Sequence, residues 1–218
     1  MTQGVRLVLF GPPGAGKGTQ AQLLRDQLKV SHISSGELFR HHLGQGTPLG
    51  LRAKEYMTKG ELVPDEVTID IILEEVMSVP DDEGFILDGF PRNPNQAEEL
   101  EKALAGRSRN LDKVVHIDVS ETELLRRLGG RYMCRICQAP NAIGDGEDMS
   151  AKKCDQCGGQ LYQRDDDHPE AVKRRIEVYN QETTPVLCFY RKRGVLVDIP
   201  GDNTVEEVNK RVMAALRA

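Results

Sequence analysis

The sequence lacks any long hydrophobic segment. Among its 218 residues no apolar run exceeds five, and Val186 to Tyr190 is one such run. A membrane-spanning helix needs about 20 apolar residues. The first four residues also lack the basic, apolar and small-residue order of an export signal. We therefore expect neither a membrane span nor secretion, and a cytoplasmic location.

Linkers, internal repeats and low-complexity tracts are also missing from the sequence. A chain of 218 residues with 39% hydrophobic content can bury roughly 70% of the surface of its unfolded state. We therefore expect one large domain, or a smaller domain carrying insertions, and not a disordered tail or a string of separate modules.

An excess of positive charge is likewise absent, because 29 Lys and Arg residues stand against 34 Asp and Glu residues for a net charge of −5. Long-range attraction to nucleic acid or to anionic lipid is therefore not expected, and any anionic partner must be held by a local cluster of cations. The five cysteines are an odd number, which favours a reducing compartment and thiols that serve as ligands or nucleophiles.

Short apolar runs followed by helical spacing recur along the chain. They are Val5 to Phe10 before a helix that begins near Lys17, Phe85 to Leu87 before Asn95 to Leu104, Val114 to Val119 before Ser120 to Leu128, and Val195 to Val197 before Val205 to Leu216. This alternation predicts an α/β fold with a parallel sheet covered by helices on both faces. Ser120 and Glu123 have the spacing of a capping box at a helix start.

Two stretches interrupt the alternation and read as insertions. Residues 34–63 have the pattern of short helices joined by loops, from Gly36 to Leu43 and from Leu49 to Met57. Residues 130–167 have no long periodic segment and contain four cysteines with several glycines.

The segment from Gly11 to Lys17 matches the pattern of a phosphate-binding loop, with a strand before it and a helix after it. Glycine lets backbone N–H groups converge on phosphate oxygens, the helix start adds partial positive charge, and Lys17 supplies a full charge. The alternative is an ordinary turn between a strand and a helix.

Gly18 follows Lys17 where many such loops have the Ser or Thr that ligates Mg²⁺, and Thr19 comes one position later. We therefore expect Mg²⁺ to be held mainly through phosphates and water. Asp88 ends a predicted strand and is the candidate acid for that ion, either as a direct ligand or through water. A helix cap or a turn residue is the other interpretation of Asp88.

The four clustered cysteines have the spacing of a Cys₄ zinc ribbon: Cys134, Cys137, Cys154 and Cys157. Four thiolates leave no open coordination position, so the predicted metal is structural. Two disulfides, or iron in place of zinc, are the alternatives. Cys188 lies in the apolar run Val186 to Tyr190 and is expected to be a small core residue.

Three segments in order, Gly11 to Gln20, Ile33 to Arg40 and Asp88 to Arg92, resemble the adenylate kinase family, and the resemblance extends from Val5 to Val212. It implies a P-loop NTPase fold with a five-stranded parallel sheet, a core of residues 1–33, 64–129 and 168–218, an AMP-binding insertion at 34–63 and a zinc-binding lid at 130–167. It also implies a monomer that transfers a phosphoryl group from Mg·ATP to AMP, giving two ADP.

The resemblance assigns roles to individual residues. It implies ATP binding by Gly14, Ala15, Gly16, Lys17, Gly18, Thr19, Arg127, Arg131 and Gly201. It implies AMP binding by Ser35, Arg40, Leu62, Val63, Gly89, Arg92, Gln96, Arg164 and Arg175. The implied catalytic residues are Lys17, Asp88, Arg92, Arg127, Arg164 and Arg175.

The chemistry of these side chains suits such roles. The guanidinium fork of Arg40 or Arg92 matches a phosphate in a bidentate manner. The Gln96 amide offers a donor and an acceptor to a base edge. The segment Asp165 to Asp167 is either a solvated turn or the site of an acid that orients the closed lid.

Two alternative functions stay open at this stage. One is the same reaction with UMP or CMP as acceptor or GTP as donor. The other is a zinc-ribbon nucleic-acid-binding protein with a P-loop motor or switch, and the acidic balance of the chain counts against it.

Overall fold

The computed structural model describes residues 4–144 and 152–217, and a parallel five-stranded sheet forms its centre. The strands are β1 (Arg6–Phe10), β2 (Ser31–Ser34), β3 (Phe85–Asp88), β4 (Lys113–Asp118) and, after three short strands elsewhere, β8 (Leu196–Pro200). Their spatial order is β2-β3-β1-β4-β8, and every neighbouring pair is parallel. The carboxyl ends of all five strands therefore meet at one edge of the sheet.

Helices cover both faces of this sheet. On one face lie α4 (Asp65–Ser78), α5 (Pro94–Ala105) and α8 (Thr184–Lys192). On the other lie α1 (Lys17–Leu28), α6 (Glu121–Gly129) and α9 (Val205–Ala215). Alternate residues of β1 enter the two cores, Val8 and Phe10 on one side and Leu7 and Leu9 on the other. This double burial explains why the strand is apolar from Leu7 to Phe10, and the parallel sheet confirms the predicted fold class.

The stretch between β2 and α4 forms a pair of helices. They are α2 (Ser35–Gly44) and α3 (Pro48–Met57), in agreement with the two predicted helices. Phe39, Ala53 and Val63 make a small core of their own under this pair. Ser34 caps α2 by accepting a hydrogen bond from the Glu37 N–H at 3.4 Å.

The stretch after α6 forms a separate three-stranded antiparallel sheet in the order β6-β5-β7. Its strands are β5 (Arg131–Cys134), β6 (Pro140–Ala142) and β7 (Leu161–Tyr162). Met133 pairs with Tyr162, so the two ends of the cysteine-bearing segment lie side by side. The chain returns to the core through a 3₁₀ turn at Asp165–Asp167, α7 (Pro169–Val178) and a π-helical turn at Tyr179–Thr183.

The sequence located four of the five strands of the central sheet and the helices α1, α2, α3, α5, α6 and α9. It did not locate the edge strand β2, nor α4, α7 and α8. The expectation that Cys188 is a core residue is wrong: the run Val186 to Tyr190 lies in α8, where Val186, Leu187 and Tyr190 face the core and Cys188 is exposed. Helical periodicity, and not the apolar run itself, decides which of these side chains is buried.

The predicted helix start at Ser120 is correct, but its capping box does not form. The Ser120 side chain makes no cap hydrogen bond, and the Ser120 N–H donates to the Asp202 carboxylate at 3.1 Å. Glu123 instead accepts hydrogen bonds from Arg126 and Arg127. In the described part of the chain, no helix is both long and apolar enough to cross a membrane.

Candidate active site

The loop from Gly11 to Gly16 joins the end of β1 to the start of α1 at the carboxyl edge of the sheet. Gly14 has φ of 85°, and a Cβ there would lie 2.9 Å from Leu128 Cγ. Gly16 has φ of 93° directly before Lys17, the first residue of α1. The loop therefore needs glycine at these turns, and its path directs the free N–H groups of the helix start into the space above the sheet.

Lys17 lies inside this loop. Its Nζ donates to the carbonyl oxygens of Gly11 at 2.6 Å and Pro12 at 3.0 Å. Burial lowers the pKa of the Lys17 amine to about 8, and the charges of Arg92 and other nearby arginines lower it further while Asp88 opposes them. The site thus concentrates positive charge at a buried point, an arrangement suited to a multiply charged anion.

Asp88 ends β3 beside this loop, because the sheet pairs it with Leu9 of β1. A Cβ on Gly18 would lie 3.5 Å from Asp88 Oδ2, so the carboxylate lies next to the first turn of α1. Mg²⁺ in phosphate sites takes one or two carboxylates together with phosphate oxygens and water. A single carboxylate beside a phosphate loop fits that donor set, and the absence of a side chain at Gly18 keeps the approach to the carboxylate open.

Five arginines from different segments converge on the same crevice: Arg40, Arg92, Arg131, Arg164 and Arg175. Burial lowers the pKa of the Arg92 guanidinium, as it does for Arg40. Burial also lowers the pKa of Arg164 to about 10, and the charges of Arg40 and Arg131 add to this shift. In the described part of the chain the arginines repel one another without a carboxylate for each of them, which indicates a site for an anionic ligand.

Two carboxylates of the 3₁₀ turn partly balance these arginines. Asp167 is 2% exposed and accepts from Arg131 Nε at 2.8 Å and from Arg175 Nη1 at 3.1 Å, with a further contact to Arg131 Nη2. Burial would raise the pKa of Asp166, but Arg175, Arg40 and their neighbours lower it overall. Asp167 is therefore not a solvated turn residue; it links Arg131 at the start of β5 to Arg175 on α7.

A pocket opens beside the loop between α2, α4 and α7. Of the predicted site residues it is lined by Lys17, Ser35, Arg40, Leu62, Val63, Gly89, Arg92, Gln96 and Arg175. The Gly89 carbonyl accepts from Ser35 Oγ and from Arg92 Nε, both at 2.7 Å. Gly89 has φ of 79°, and a Cβ there would lie 2.7 Å from Ser35 Oγ, so only glycine fits between these two side chains.

Gln96 is 1% exposed and already hydrogen-bonded at both ends of its side chain. Its Oε1 accepts from the Arg92 N–H at 2.7 Å, and its Nε2 donates to Asp65 Oδ1 at 2.7 Å. Asn93 caps α5 by accepting from the Gln96 N–H at 2.9 Å. The side-chain amide of Gln96 keeps one hydrogen and one lone pair for a further partner.

Arg127 lies on the other side of the loop, on α6. Its Nη2 donates to the Gly201 carbonyl at 2.8 Å and its Nε to Glu123 Oε1 at 2.7 Å. Hydrogen bonds from Arg126 and Arg127 lower the pKa of Glu123 to about 2. The structure therefore brings Arg127 and Gly201, predicted from distant parts of the sequence, into direct contact.

Tyr179 and Thr183 line the pocket but were not identified from the sequence, and Thr183 Oγ1 donates to the Arg92 carbonyl at 2.8 Å. Asp166 also lines the pocket, and it lies in the segment that the sequence offered as a possible lid-orienting acid. The only sequence signal for Tyr179 and Thr183 was their position after the arginine pair at 174–175, because the π-helical turn that aims them has no distinct pattern.

The four cysteines of the ribbon converge as predicted. The Sγ atoms of Cys134, Cys137, Cys154 and Cys157 all lie within 4.8 Å of one another. Cys134 Sγ lies 3.4 Å from Cys157 Sγ, and Cys137 Sγ lies 3.5 Å from Cys154 Sγ. Zinc at about 2.3 Å from each sulfur of a tetrahedron separates the sulfurs by about 3.8 Å. The cluster is compatible with a structural zinc ion, and none of the cysteines forms a disulfide.

The loops around the cysteines are built for close approach to the sulfurs. Gly158 has φ of 71°, and a Cβ on Gly159 would lie 2.7 Å from Cys134 Sγ. Gln138 occupies the corresponding place after Cys137 and takes the same left-handed conformation, with φ of 56°. Asn141 donates to Cys154 Sγ at 3.6 Å and so supports the cluster from outside.

The chain is similar to known proteins along nearly all of its length. The family model described as adenylate kinase matches residues 9–195. The adenylate kinase of Methanocella arvoryzae is 49% identical over 213 residues, which cover 98% of this chain and 99% of that relative. The adenylate kinase of Carboxydothermus hydrogenoformans is 48% identical over 214 residues, with 98% and 100% covered. The adenylate kinase of Alkaliphilus oremlandii is 47% identical over 212 residues, with 97% and 98% covered. Because this similarity runs the length of both chains and includes the loop around Lys17, the chain belongs to the adenylate kinase family.

Proposed function

We propose that this phosphotransferase moves the terminal phosphoryl group of Mg·ATP to AMP, reversibly giving two ADP, in the crevice between the loop at Gly11 to Gly16 and the pocket at Gln96. The observation that carries the proposal is the convergence of Lys17, Arg92 and Arg175 on one space, with a phosphate loop on one side and a base-sized pocket on the other.

The donor nucleotide belongs on the loop side. The N–H groups between Gly14 and Thr19 would receive the β and γ phosphates, and the Lys17 amine would leave its loop carbonyls to meet them. Arg127 and Gly201, joined by a hydrogen bond, would flank the nucleoside. Asp88 would hold Mg²⁺ directly or through water. When bound, Mg²⁺ neutralises phosphate charge and aligns the phosphoryl group.

The acceptor nucleotide belongs in the pocket. Arg40 and Arg92 would grip its phosphate, Leu62 and Val63 would contact its nucleoside, and Gln96 would meet the base edge with its remaining hydrogen and lone pair. Ser35 and Gly89 shape the wall between phosphate and base through the shared Gly89 carbonyl.

The transfer itself requires little covalent chemistry from the protein. A loose transition state needs alignment, exclusion of water and positive charge around the moving group. Lys17, Arg92, Arg127, Arg164 and Arg175 would supply that charge. A phosphate acceptor is already an anion, so no general base is needed.

The two insertions would close over the substrates, residues 34–63 on the acceptor and the zinc-binding lid 130–167 on the donor, around the core of residues 1–33, 64–129 and 168–218. Asp167 supports this for the lid, because it joins Arg131 at the lid entry to Arg175 after the exit. The metal would be zinc in a structural role, since four thiolates saturate the site.

We also propose that the enzyme works as a monomer in the cytoplasm and does not bind nucleic acid. All residues of the proposed site come from one chain, all five thiols are free, and the net charge is −5. The first observation supports a monomer, the second supports the cytoplasm, and the third supports the absence of nucleic-acid binding.

A coupled assay with a panel of acceptors tests the proposal. With Mg·ATP as donor, we expect kcat/KM for AMP to exceed the values for UMP and CMP by at least about two orders of magnitude. Higher turnover with a pyrimidine nucleotide would overturn the choice of acceptor. Replacing ATP by GTP in the same assay decides the donor.

A further inference from the structure

Asp65, the first residue of α4, receives three side-chain hydrogen bonds from amides of the acceptor pocket. Asn93 Nδ2 and Gln96 Nε2 donate to its Oδ1 at 2.8 Å and 2.7 Å, and Asn95 Nδ2 donates to its Oδ2 at 2.8 Å. Burial would raise the pKa of Asp65, but the hydrogen bonds from Asn95, Asn93 and Gln96 lower it overall. Asp65 is therefore an ionised carboxylate at neutral pH and can only accept hydrogen bonds.

The other end of the Gln96 side chain meets a group of the opposite kind. Its Oε1 lies 2.7 Å from the backbone N–H of Arg92, which can only donate. An amide held between an obligate acceptor and an obligate donor has one permitted orientation, with NH₂ toward Asp65 and oxygen toward Arg92. In the reversed orientation, the Gln96 oxygen would face the Asp65 carboxylate and the Gln96 NH₂ would face the Arg92 N–H. Because Gln96 is 1% exposed, water could not relieve either contact.

We propose that Asp65 is a positioning residue that fixes the polarity of the Gln96 amide and thereby selects 6-amino over 6-oxo purine monophosphates. This inference rests on the proposed role of Gln96 as the group that meets the acceptor base. The free lone pair of Oε1 then accepts from an exocyclic amine, and the free hydrogen of Nε2 donates to the adjacent ring nitrogen. Adenine offers that pattern, and hypoxanthine offers its reverse.

The Asn93 side chain holds Asp65 in the position that excludes the reversed Gln96 amide. Its Oδ1 accepts from the Gln96 N–H at 2.9 Å as the cap of α5, so its NH₂ must face Asp65 Oδ1. Asp65 Oδ1 is thus fixed by two donors at once. Asp65 and Asn93 thus set the polarity of the Gln96 amide without themselves touching a substrate atom.

The test compares AMP with IMP, which differs from AMP only at the base edge in question. The measured quantities are kcat and KM for AMP, KM for ATP, and the inhibition constant of IMP against AMP. In the unaltered enzyme we expect IMP to bind about 100-fold more weakly than AMP. In Asp65→Ala we expect KM for AMP to rise about tenfold. The inhibition constant of IMP should stay within about threefold or fall, because Gln96 is then free to turn. We expect KM for ATP and kcat to stay within about threefold.

Two further variants separate positioning from a structural effect. Asp65→Asn keeps an acceptor oxygen toward Asn93 and Gln96, so we expect it to restore most of the preference for AMP over IMP. Glu66→Ala removes an exposed charge from the same first turn of α4 and should leave both nucleotides unchanged. Should Asp65→Ala not fold, Asp65→Ser serves in its place, because a hydroxyl both donates and accepts and cannot fix the polarity.

Equal weakening of AMP and IMP in Asp65→Ala, or the same effect in Glu66→Ala, would overturn the inference while leaving AMP phosphorylation by the unaltered enzyme intact. If the unaltered enzyme does not phosphorylate AMP, the proposed function fails first. Equal affinity of the unaltered enzyme for the two nucleotides would also overturn the selection.

Discussion

The lowered pKa of Lys17 implies that its charge costs stability in the ligand-free protein, although the proposed reaction needs that charge. Its pKa falls from 10.5 to about 8 on folding, so the unfolded chain binds the proton more tightly. The loss of stability caused by the charged amine is therefore complete below pH 8, where both states are protonated. Between about pH 8 and 10.5 the unfolded state holds more protons than the folded state, so the free energy of unfolding should rise with pH.

We therefore expect Lys17→Met to stabilise the ligand-free protein by roughly 1–3 kcal/mol at pH 7 and to lower kcat by about 10²–10³. Denaturant unfolding at pH 7 and pH 10, with steady-state kinetics, measures both effects. Lys54→Met, at an exposed position of α3, is the matched control and should change neither. A less stable Lys17→Met protein at pH 7 would contradict this account of the buried amine.

Gly89 offers a second test at the scale of one residue. Gly89 has φ of 79°, and an added Cβ would lie 2.7 Å from Ser35 Oγ. We therefore expect Gly89→Ala to lower the free energy of unfolding by about 1–2 kcal/mol and to raise KM for AMP. Thermal unfolding and AMP titration measure these effects. Gly44→Ala places the same methyl group in open space in α2 and should be neutral or slightly stabilising. Equal effects at the two positions would show that strain at Gly89 is not the cause.

Sequence reasoning at this scale identified the charged residues of the site and did not identify the residues that hold the Gln96 side chain. Lys17, Arg92 and Arg175 stand in recognisable motifs, and the structure brings them together. Asp65 and Asn93 look like ordinary residues of helix starts, because their hydrogen bonds with Gln96 depend on a contact between α4 and α5 that has no local signature. The sequence allowed Asp167 to be a lid-orienting acid, but it could not predict that Asp167 is buried, because that burial depends on contacts with Arg131 and Arg175.

The three-stranded sheet β6-β5-β7 is expected to depend for its stability on the metal that its four clustered cysteines would hold. We expect Cys134→Ser to lower the melting temperature markedly and to reduce bound zinc, while substantial turnover remains at low temperature because the metal takes no part in the chemistry. Cys188→Ser is the matched control, since Cys188 is exposed on α8, and it should behave as the unaltered protein.

Calorimetry, metal analysis and kinetics at two temperatures check this prediction. Complete loss of turnover in Cys134→Ser with an intact fold would contradict a structural role. Removal of the metal by a chelator should reproduce the Cys134→Ser result, because it opens the same cluster.

The elements differ in how clearly the sequence predicts them. β1 and β4 were predicted because each holds an apolar run buried between the helix layers, Leu7 to Phe10 in β1 and Val114 and Val115 in β4. β2 reads Ser-His-Ile-Ser and lies at the sheet edge, where one flank lacks a neighbour and polar residues are tolerated, so its pattern is weak. The helix α6 was predicted at the right place by a capping box that does not form, since Glu123 binds arginines instead.

At the scale of the whole molecule, an acidic chain presents a positively charged crevice. We expect KM for both nucleotides to rise several-fold between about 0.05 and 0.5 M potassium chloride, because salt screens the attraction between the crevice and phosphate. Steady-state kinetics across this range measures the effect. Arg25→Ala, in the last turn of α1 at the end away from the loop and paired with Asp26, should keep the same salt dependence, whereas Arg175→Ala should weaken it. Tight, salt-sensitive binding of single-stranded nucleic acid would contradict this description of the surface.

The pairing of Met133 with Tyr162 has a consequence for how the chain can vary. Entry and exit of the cysteine-bearing segment are neighbours, so the described residues between them form a side branch of the fold. A tight hairpin could replace residues 135–160 without rerouting the central sheet or separating Arg131 from Asp167. Such a replacement would remove the four thiols and the metal together, whereas loss of one thiol keeps the segment and lowers its stability.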